Sequence, residues 1–383
     1  MSSDQRSSNW RPDEEGALDK LKHHSPGAER YISHPSQARI GMKPFPSKLY
    51  VLTMVENPLQ WNSRSLNYWR FQKHMEDSNV ELYTAEVQLG GRPFEITEAN
   101  NPKHLQLRSY GEFWRKENVL NLLAQRLPPE CQYICTFDAD IQLVRTDWAQ
   151  QVMQLLQHYD VIQPFSHSRD LDANSSPIHD QHSHSFMYQW IENGVMPHDE
   201  EFVDSQTIKW TPKGVVKPNR SGVPRGSPYT SDGPAVGWHP GLAWCYRKSA
   251  WDIMGGLMDW LPTGSGDWHM ANAFIGHLMS SIDERHTDSY KRHCKIWQDR
   301  VCPTIRDNPN GGLGYMPGLI LHHYHGKRVN RQYEVRHKFV LNVNYDPDLD
   351  IIKDHQGLWQ LTDRNVKLRD GLRLYARARN EDQ

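Results

Sequence analysis

The sequence predicts an α/β protein built on a sheet of mainly parallel strands with helices on both faces. Three observations lead there. Apolar strand-like runs alternate with helix-like periodicity across residues 48–165, the pattern that strand–helix–strand crossovers produce. One of those runs, Tyr133-Ile134-Cys135-Thr136-Phe137, ends directly on Asp138-Ala139-Asp140, and sheets of this class bind ligands at the carboxyl ends of strands. Hydrophobic residues make up 37% and charged residues 23% of the 383 positions, a balance that supports a sizeable core.

Residues 1–45 are rich in Ser, Pro, Asp, Arg and His without apolar periodicity, and read as a disordered or loosely docked tail. The domain expected over 46–326 opens at Lys48-Leu49-Tyr50-Val51-Leu52-Thr53-Met54-Val55, a buried strand broken by Glu56-Asn57-Pro58. Residues 61–76 present Leu66, Trp69 and the Phe71 region on one helical face. A second strand is expected from Val80 to Gln88, turned by Gly90-Gly91. Phe113, Val119, Leu120, Leu122, Leu123 and Leu127 recur near helical spacing, which predicts a helix over 109–127 stopped by Pro128-Pro129. After the strand at 133–137 come a helix over 146–158 and a strand from Asp160 to Phe165. Residues 167–236 lose periodicity and read as a loop-rich insertion; loops that long inside a domain serve as lids or binding surfaces. Regular structure resumes with a strand at 241–246 and helices at 248–255 and 267–279, and residues 327–383 form a basic C-terminal extension.

Composition excludes some functions. The formal charge of -2 provides no global field toward nucleic acid, so any polyanion must meet a local basic patch. Five Cys without a CxxC pair suggest reduced thiols and a cytoplasmic setting. The absence of a leader-like apolar stretch or a spanning run predicts no membrane partner. Fourteen Trp and sixteen Tyr suit a core, and equally a surface that stacks on sugars or bases.

Four segments bear chemistry. Two carboxylates at Asp138-x-Asp140 can hold a divalent cation that offsets charge on a leaving diphosphate. Gly255-Gly256-Leu257 leads to Gly264-Ser265-Gly266-Asp267-Trp268, where glycines let the backbone approach a ligand. Asp267 there is either a helix cap or a carboxylate able to take a proton from a hydroxyl. His322-His323-Tyr324-His325-Gly326 offers imidazoles of the kind that bind Mn-like cations, although a polar loop in a chain of 21 His is the plainer alternative. The basic run Lys327, Arg328, Arg331, Arg336 and Lys338, with the Arg and Lys of 364–379, is either a solvated face or a phosphate-tracking surface.

In this order the strand at 48–55, the Trp114-Arg115-Lys116-Glu117-Asn118 helix, Phe137-Asp138-Ala139-Asp140, Gly241-Leu242-Ala243-Trp244, Gly255-Gly256-Leu257 and Gly264-Ser265-Gly266-Asp267 resemble GT-A glycosyltransferases, over residues 48–326. The resemblance implies a GT-A-like mixed sheet and a metal-dependent hexosyl- or pentosyltransferase. Its donor would be a nucleotide-sugar, a UDP-sugar foremost, and its cofactor Mn2+ or Mg2+. It implies Asp138 and Asp140 on the donor ribose and metal, and His325 as a further ligand with His322 and His323 behind it. Asp267 becomes the base, although Ser265 and Asp267 stand where many relatives have Gly and Glu. Thr53, Val55 and Glu56 would face the nucleobase and Lys116 the diphosphate, with Trp244 and Gly266 also on the donor side.

From Trp114-Arg115-Lys116-Glu117-Asn118 to Tyr375-Ala376-Arg377-Ala378-Arg379-Asn380-Glu381-Asp382 the chain is also similar to a group of bacteriophage glycosyltransferases. That group is related to the base J glucosyltransferase, which acts on hydroxymethyluracil in DNA. This implies a hydroxymethylated pyrimidine in DNA as acceptor, in a host cytoplasm. Lys327, Arg328 and Arg331 would then contact DNA, with Phe186, Tyr188, Trp190, Trp210, Tyr229 and Trp238 available to stack on an extruded base. Two other readings stand beside it: transfer to a bacterial surface glycan or small acceptor, and a non-catalytic sugar- or nucleic-acid-binding relative. The intact Asp138, Asp140 and Asp267 argue against the second.

Overall fold

The computed structural model describes residues 48–193, 209–210, 214–215, 238–306, 308 and 312–383. The tail expected at 1–45 lies outside the described residues. Strands β1 (Leu49–Glu56), β2 (Glu81–Leu89), β3 (His104–Ser109), β4 (Tyr133–Phe137) and β5 (Ile141–Leu143) come first. They are followed by β6 (Val161–Gln163), β7 (His167–Leu171), β8 (Pro177–Ser185) and β9 (Trp238–His239). Then come β10 (Ala243–Arg247), β11 (Leu313–Tyr315), β12 (Leu319–His322), β13 (Ile351–Lys353) and β14 (Trp359–Leu361).

The main sheet has the order β11-β6-β10-β4-β1-β2-β3. Its strands run parallel except β10, which is antiparallel to β4 and β6. The class is therefore the expected one, a Rossmann-like mixed sheet flanked by helices. β1 is central, and Leu49, Tyr50, Val51 and Leu52 are all buried because both faces are covered. Helices α1 (Asn62–Asp77) and α3 (Trp148–Leu155) cover one face with Phe71, Met75, Trp148 and Val152. Helices α2 (Lys116–Ala124), α5 (Lys248–Met254), α6 (Gly266–Phe274) and, beyond the short α7 (Leu278–Ser281), α8 (Asp288–Val301) cover the other with Val119, Leu123, Trp251, Phe274 and Trp297. Each such side chain, fully buried, contributes roughly 1.5–3 kcal/mol.

Two expectations need correction. The helix expected over 109–127 begins only at Lys116, and residues 104–109 form an edge strand paired with β2 from Thr84↔His104 to Leu89↔Ser109. Arg115 explains the late start. It is buried, pairs with Glu56, and donates to the carbonyls of Gly111, Phe113 and Trp359, holding 110–115 as a loop. The second correction concerns 167–236. Its first part is regular: β7 and β8 join a second sheet of order β9-β8-β7-β12-β5, and α4 (Phe186–Asn193) follows. These strands are built of Ser, His, Arg and Asp, so no apolar alternation announced them. Phe186 and Trp190 are core residues and Tyr188 is half-buried. Tyr229 and the side chains of Trp210 and Trp238 lie outside what is described.

Residues 327–383 pack back on the domain. Helices α9 (Tyr333–Asn342) and α10 (Val366–Ala378) and the β13–β14 ribbon share the larger core through Val340, Tyr345, Ile351, Leu358, Leu368 and Leu372. Among the described residues no helix is long and apolar enough to cross a membrane.

Candidate active site

The carboxyl ends of β1 and β4 open onto two clefts. The larger, about 200 Å3, runs from Val55, Glu56, Trp61 and Arg64 to Asp138 and Asp140, and α10 closes it with Leu372, Tyr375 and Arg379. The smaller, about 100 Å3, holds Glu117, Asp170, His239, Asp267, His322 and Arg328. The two share Trp114, Lys116, Asp138, His325 and Arg379 as wall.

The turn after β4 is pinned from both neighbouring strands. The Asp138 N–H donates to Leu242 O at 2.8 Å, and Thr53 Oγ1 donates to Phe137 O at 2.9 Å. Thr53 is thus a wholly buried fastener, outside both clefts. Trp244 is likewise core: its Nε1 donates to Pro240 O at 2.6 Å and its ring packs on Phe274. Val55 and Glu56 do face the larger cleft. Lys116, at the start of α2, forms an ion pair with Asp138. Burial pushes the Asp138 carboxyl up, Lys116 opposes this, and the neighbouring Asp140 reinforces it.

Asp140, beside that pair, belongs to a second group. Its carboxylate and the imidazoles of His322 and His325 each offer a ligand atom, and these lie within 4.8 Å of one another. His325 Nδ1 is 3.1 Å from Asp140 Oδ2, and His322 Nε2 is 3.7 Å from Oδ1. The strands impose this meeting. β12 pairs with β5 so that His322 lies opposite Ile141, and the His323 N–H donates to Asp140 O at 2.8 Å. On its other side β12 pairs with β7, placing His322 opposite Asp170, whose Oδ1 is 2.8 Å from His322 Nδ1. A carboxylate behind an imidazole fixes ring orientation and raises ligand basicity.

The residues present fit a divalent cation. Asp140 Oδ1 and His325 Nε2 are buried and have no hydrogen-bond partner, a costly state unless another group sits between them. A carboxylate oxygen with two imidazole nitrogens suits a divalent first-row transition-metal ion, a class that includes Mn2+. Burial alone would lower His322, yet Asp140 and Asp170 raise it to about 10. Burial would also raise Asp140, but His322 and His325 hold it well below the ordinary carboxylate range. His325 goes the other way: burial and then Arg331 lower it to about 3, which leaves its imidazole neutral.

Asp267 sits in the first turn of α6. Its Oδ1 accepts the N–H of Trp268 at 2.8 Å, and its Oδ2 occupies the space a side chain at Gly241 would need. It faces the smaller cleft, and a second acid, Glu117, faces it too. Glu117 is buried, accepts Trp114 Nε1–H at 3.1 Å, and presses on Gly266, where a Cβ would come 2.9 Å from its carboxyl carbon. Gly266 therefore makes room for Glu117. Burial and then Asp267 push Glu117 up, against Lys116, to about 7. Of the basic residues, Lys327 is exposed, while Arg328 and the buried Arg331 line the smaller cleft.

The structure gathers Asp138, Asp140, His325, Lys116 and Asp267 around the two clefts, but Asp138, expected on the metal beside Asp140, is paired with Lys116 and stands outside the Asp140–His322–His325 group. It seats His322, named behind His325, in the ligand group itself, sets Asp170 behind His322, and places Glu117 in the smaller cleft with Asp267. No local pattern marks Asp170, and Glu117 stands in the Trp114–Asn118 segment without an assigned role.

No protein-family model and no curated protein matches the chain. Among solved structures, the catalytic domain of Drosophila β1,4-galactosyltransferase 7 in complex with xylobiose is similar over 84% of this chain and 98% of its own, at 10% identity and a TM-score of 0.32. Residues 1–349 of S. aureus TarS are similar over 68% and 73%, at 10% identity and 0.31. A putative nucleotide-diphospho-sugar transferase from Desulfovibrio desulfuricans is similar over 86% and 97%, at 10% identity and 0.26. At such distance the chemistry of this chain rests on its own side chains.

Proposed function

We propose that this chain is a metal-dependent glycosyltransferase that moves a sugar from a nucleotide-sugar, a UDP-sugar foremost, to an acceptor hydroxyl. The observation that supports this best is the part-buried Asp140–His322–His325 group, with its two unpartnered ligand atoms, at the carboxyl end of β4 between two clefts. Asp140, His322 and His325 would hold the cation, Mn2+ or Mg2+, which when bound offsets charge on the leaving diphosphate. Val55 and Glu56 bound the nucleoside end of the larger cleft, with Lys116 at its junction with the smaller one. Lys116 exchanges its partner Asp138 for a phosphate oxygen, which frees Asp138 for a ribose hydroxyl. In the smaller cleft Asp267 accepts the proton of the attacking hydroxyl.

The preferred acceptor is a hydroxymethylated pyrimidine in DNA. Arg328 in the cleft wall and Lys327 beside it supply local positive charge that the net charge of -2 lacks, and a duplex base must leave the stack to reach such a site. A glycan or small polyhydroxyl acceptor is the second reading. It is favoured by Asp170, Glu117 and Asp267 in the same cleft, since carboxylates accept hydrogen bonds from hydroxyls.

Asp140→Ala should abolish Mn2+ binding and transfer together; full activity in this variant, or in EDTA, contradicts the metal reading. Mass spectrometry of nucleosides after incubation with hydroxymethylated DNA and a panel of donors decides between acceptors.

A further inference from the structure

We propose that Glu381 is a positioning residue for the metal loop, fastening residues 379–383 against Gly326 and thereby fixing His325 in the ligand group. This rests on the metal reading above and extends it to a residue remote from it in sequence.

Glu381 is 1% exposed. Its carboxylate accepts two hydrogen bonds from Arg64, from Nη2 at 2.7 Å and Nε at 2.6 Å, and a third from Arg379 Nε at 2.6 Å. Bidentate pairs of this kind are directional as well as strong. Yet a buried ion pair adds little net stability once desolvation is counted, and its better-attested use is to specify one arrangement. The arrangement here is a three-way lock. The backbone of 379–381 lies so close to Gly326 that a Cβ there would come 2.8 Å from Glu381 Cα, 3.0 Å from Asn380 O and 3.2 Å from Arg379 O. Gly326 also has φ +89, a region open to glycine. It directly follows His325.

The opposite side of the loop is tied to α1, where Asn67 Nδ2 donates to Tyr324 O at 2.9 Å. Helix α1 is itself held by the same segment. Asp382 accepts the N–H groups of Asn62 and Ser63, both at 2.9 Å, in the role of an N-terminal cap supplied from afar. Arg64 and Asn67 lie in the first two turns of that helix. The Glu381 carboxylate therefore joins helix to segment, and both bear on the loop that carries His325, the helix through Tyr324 and the segment through Gly326.

The test is Mn2+ affinity, measured by electron paramagnetic resonance without donor, on the wild type, Glu381→Gln and Asp382→Ala. Hydrogen exchange of 322–326 is followed in parallel. Glu381→Gln should weaken Mn2+ binding by about tenfold or more, the order seen when an outer partner of a metal ligand is lost, and should speed exchange in the loop. Asp382→Ala removes the cap without leaving a buried charge alone, so it remains informative if Glu381→Gln does not fold; it should shift both readouts the same way by a smaller factor. Val301→Ala, which trims the core far from the loop, controls for general destabilisation and should leave Mn2+ affinity unchanged. Unchanged affinity in folded Glu381→Gln, or in Asp382→Ala if the former does not fold, overturns the proposal and leaves the metal reading standing. Absence of Mn2+ binding by the wild type overturns both.

Discussion

At the scale of single residues, the proposed chemistry rests on two acids that share the smaller cleft. If Asp267 is the proposed base, Asp267→Asn should lower turnover about a hundredfold or more and leave donor affinity nearly intact. Collapse of donor affinity with turnover preserved would make it a binding residue instead. Glu117, beside it, is raised to about 7, first by burial and then by Asp267. A carboxyl whose folded value exceeds its unfolded one contributes stability below about 4.5 that is lost as pH rises through about 7. Glu117→Gln keeps the shape without the charge, so it should raise Tm relative to wild type at pH 8 and change little at pH 5. A Tm difference independent of pH contradicts that ionisation. Asp138, Asp140, His325 and Asp267 were legible because each stands in a short motif. Glu117 and Asp170 were not: one matters only because Gly266 lets it approach Asp267's helix, the other because β7 and β12 lie side by side.

At the scale of elements, the central strands and most helices were readable from apolar runs, and the misses share a cause. β3, with sequence His-Leu-Gln-Leu-Arg-Ser, shows apolar alternation over only Leu105 and Leu107, and β7, with His-Ser-Arg-Asp-Leu, has a single apolar residue. Their pairing is decided by neighbouring strands rather than by their own pattern. The packing of α10 on α9 is tighter than any periodicity suggests. A Cβ on Gly371 would fall within the ring of Phe339, so the helices meet only because position 371 has no side chain. Gly371→Ala should cost about 1–3 kcal/mol by overpacking, read from urea melts, and Phe339→Leu in the same chain should restore part of it. An unchanged midpoint would mean that the two helices separate freely.

At the scale of the whole molecule, charge is nearly balanced and function depends on where it gathers. If DNA is the acceptor, activity on hydroxymethylated DNA should fall steeply with added salt. Reversing charge at Lys327 and Arg328 should weaken DNA binding and spare donor hydrolysis. Arg331 is left out of that test because it is buried in the wall of the smaller cleft. Salt-independent activity, or free sugars accepted far better than modified DNA, turns the choice to the glycan reading. The common wall of the two clefts, from Trp114 to Arg379, has a kinetic meaning. If donor and acceptor occupy the two chambers at once, they meet across one partition, and transfer is expected to be sequential: initial-rate lines at varied donor and acceptor concentrations should converge, and parallel lines would mean that a sugar is stored on the protein between half-reactions.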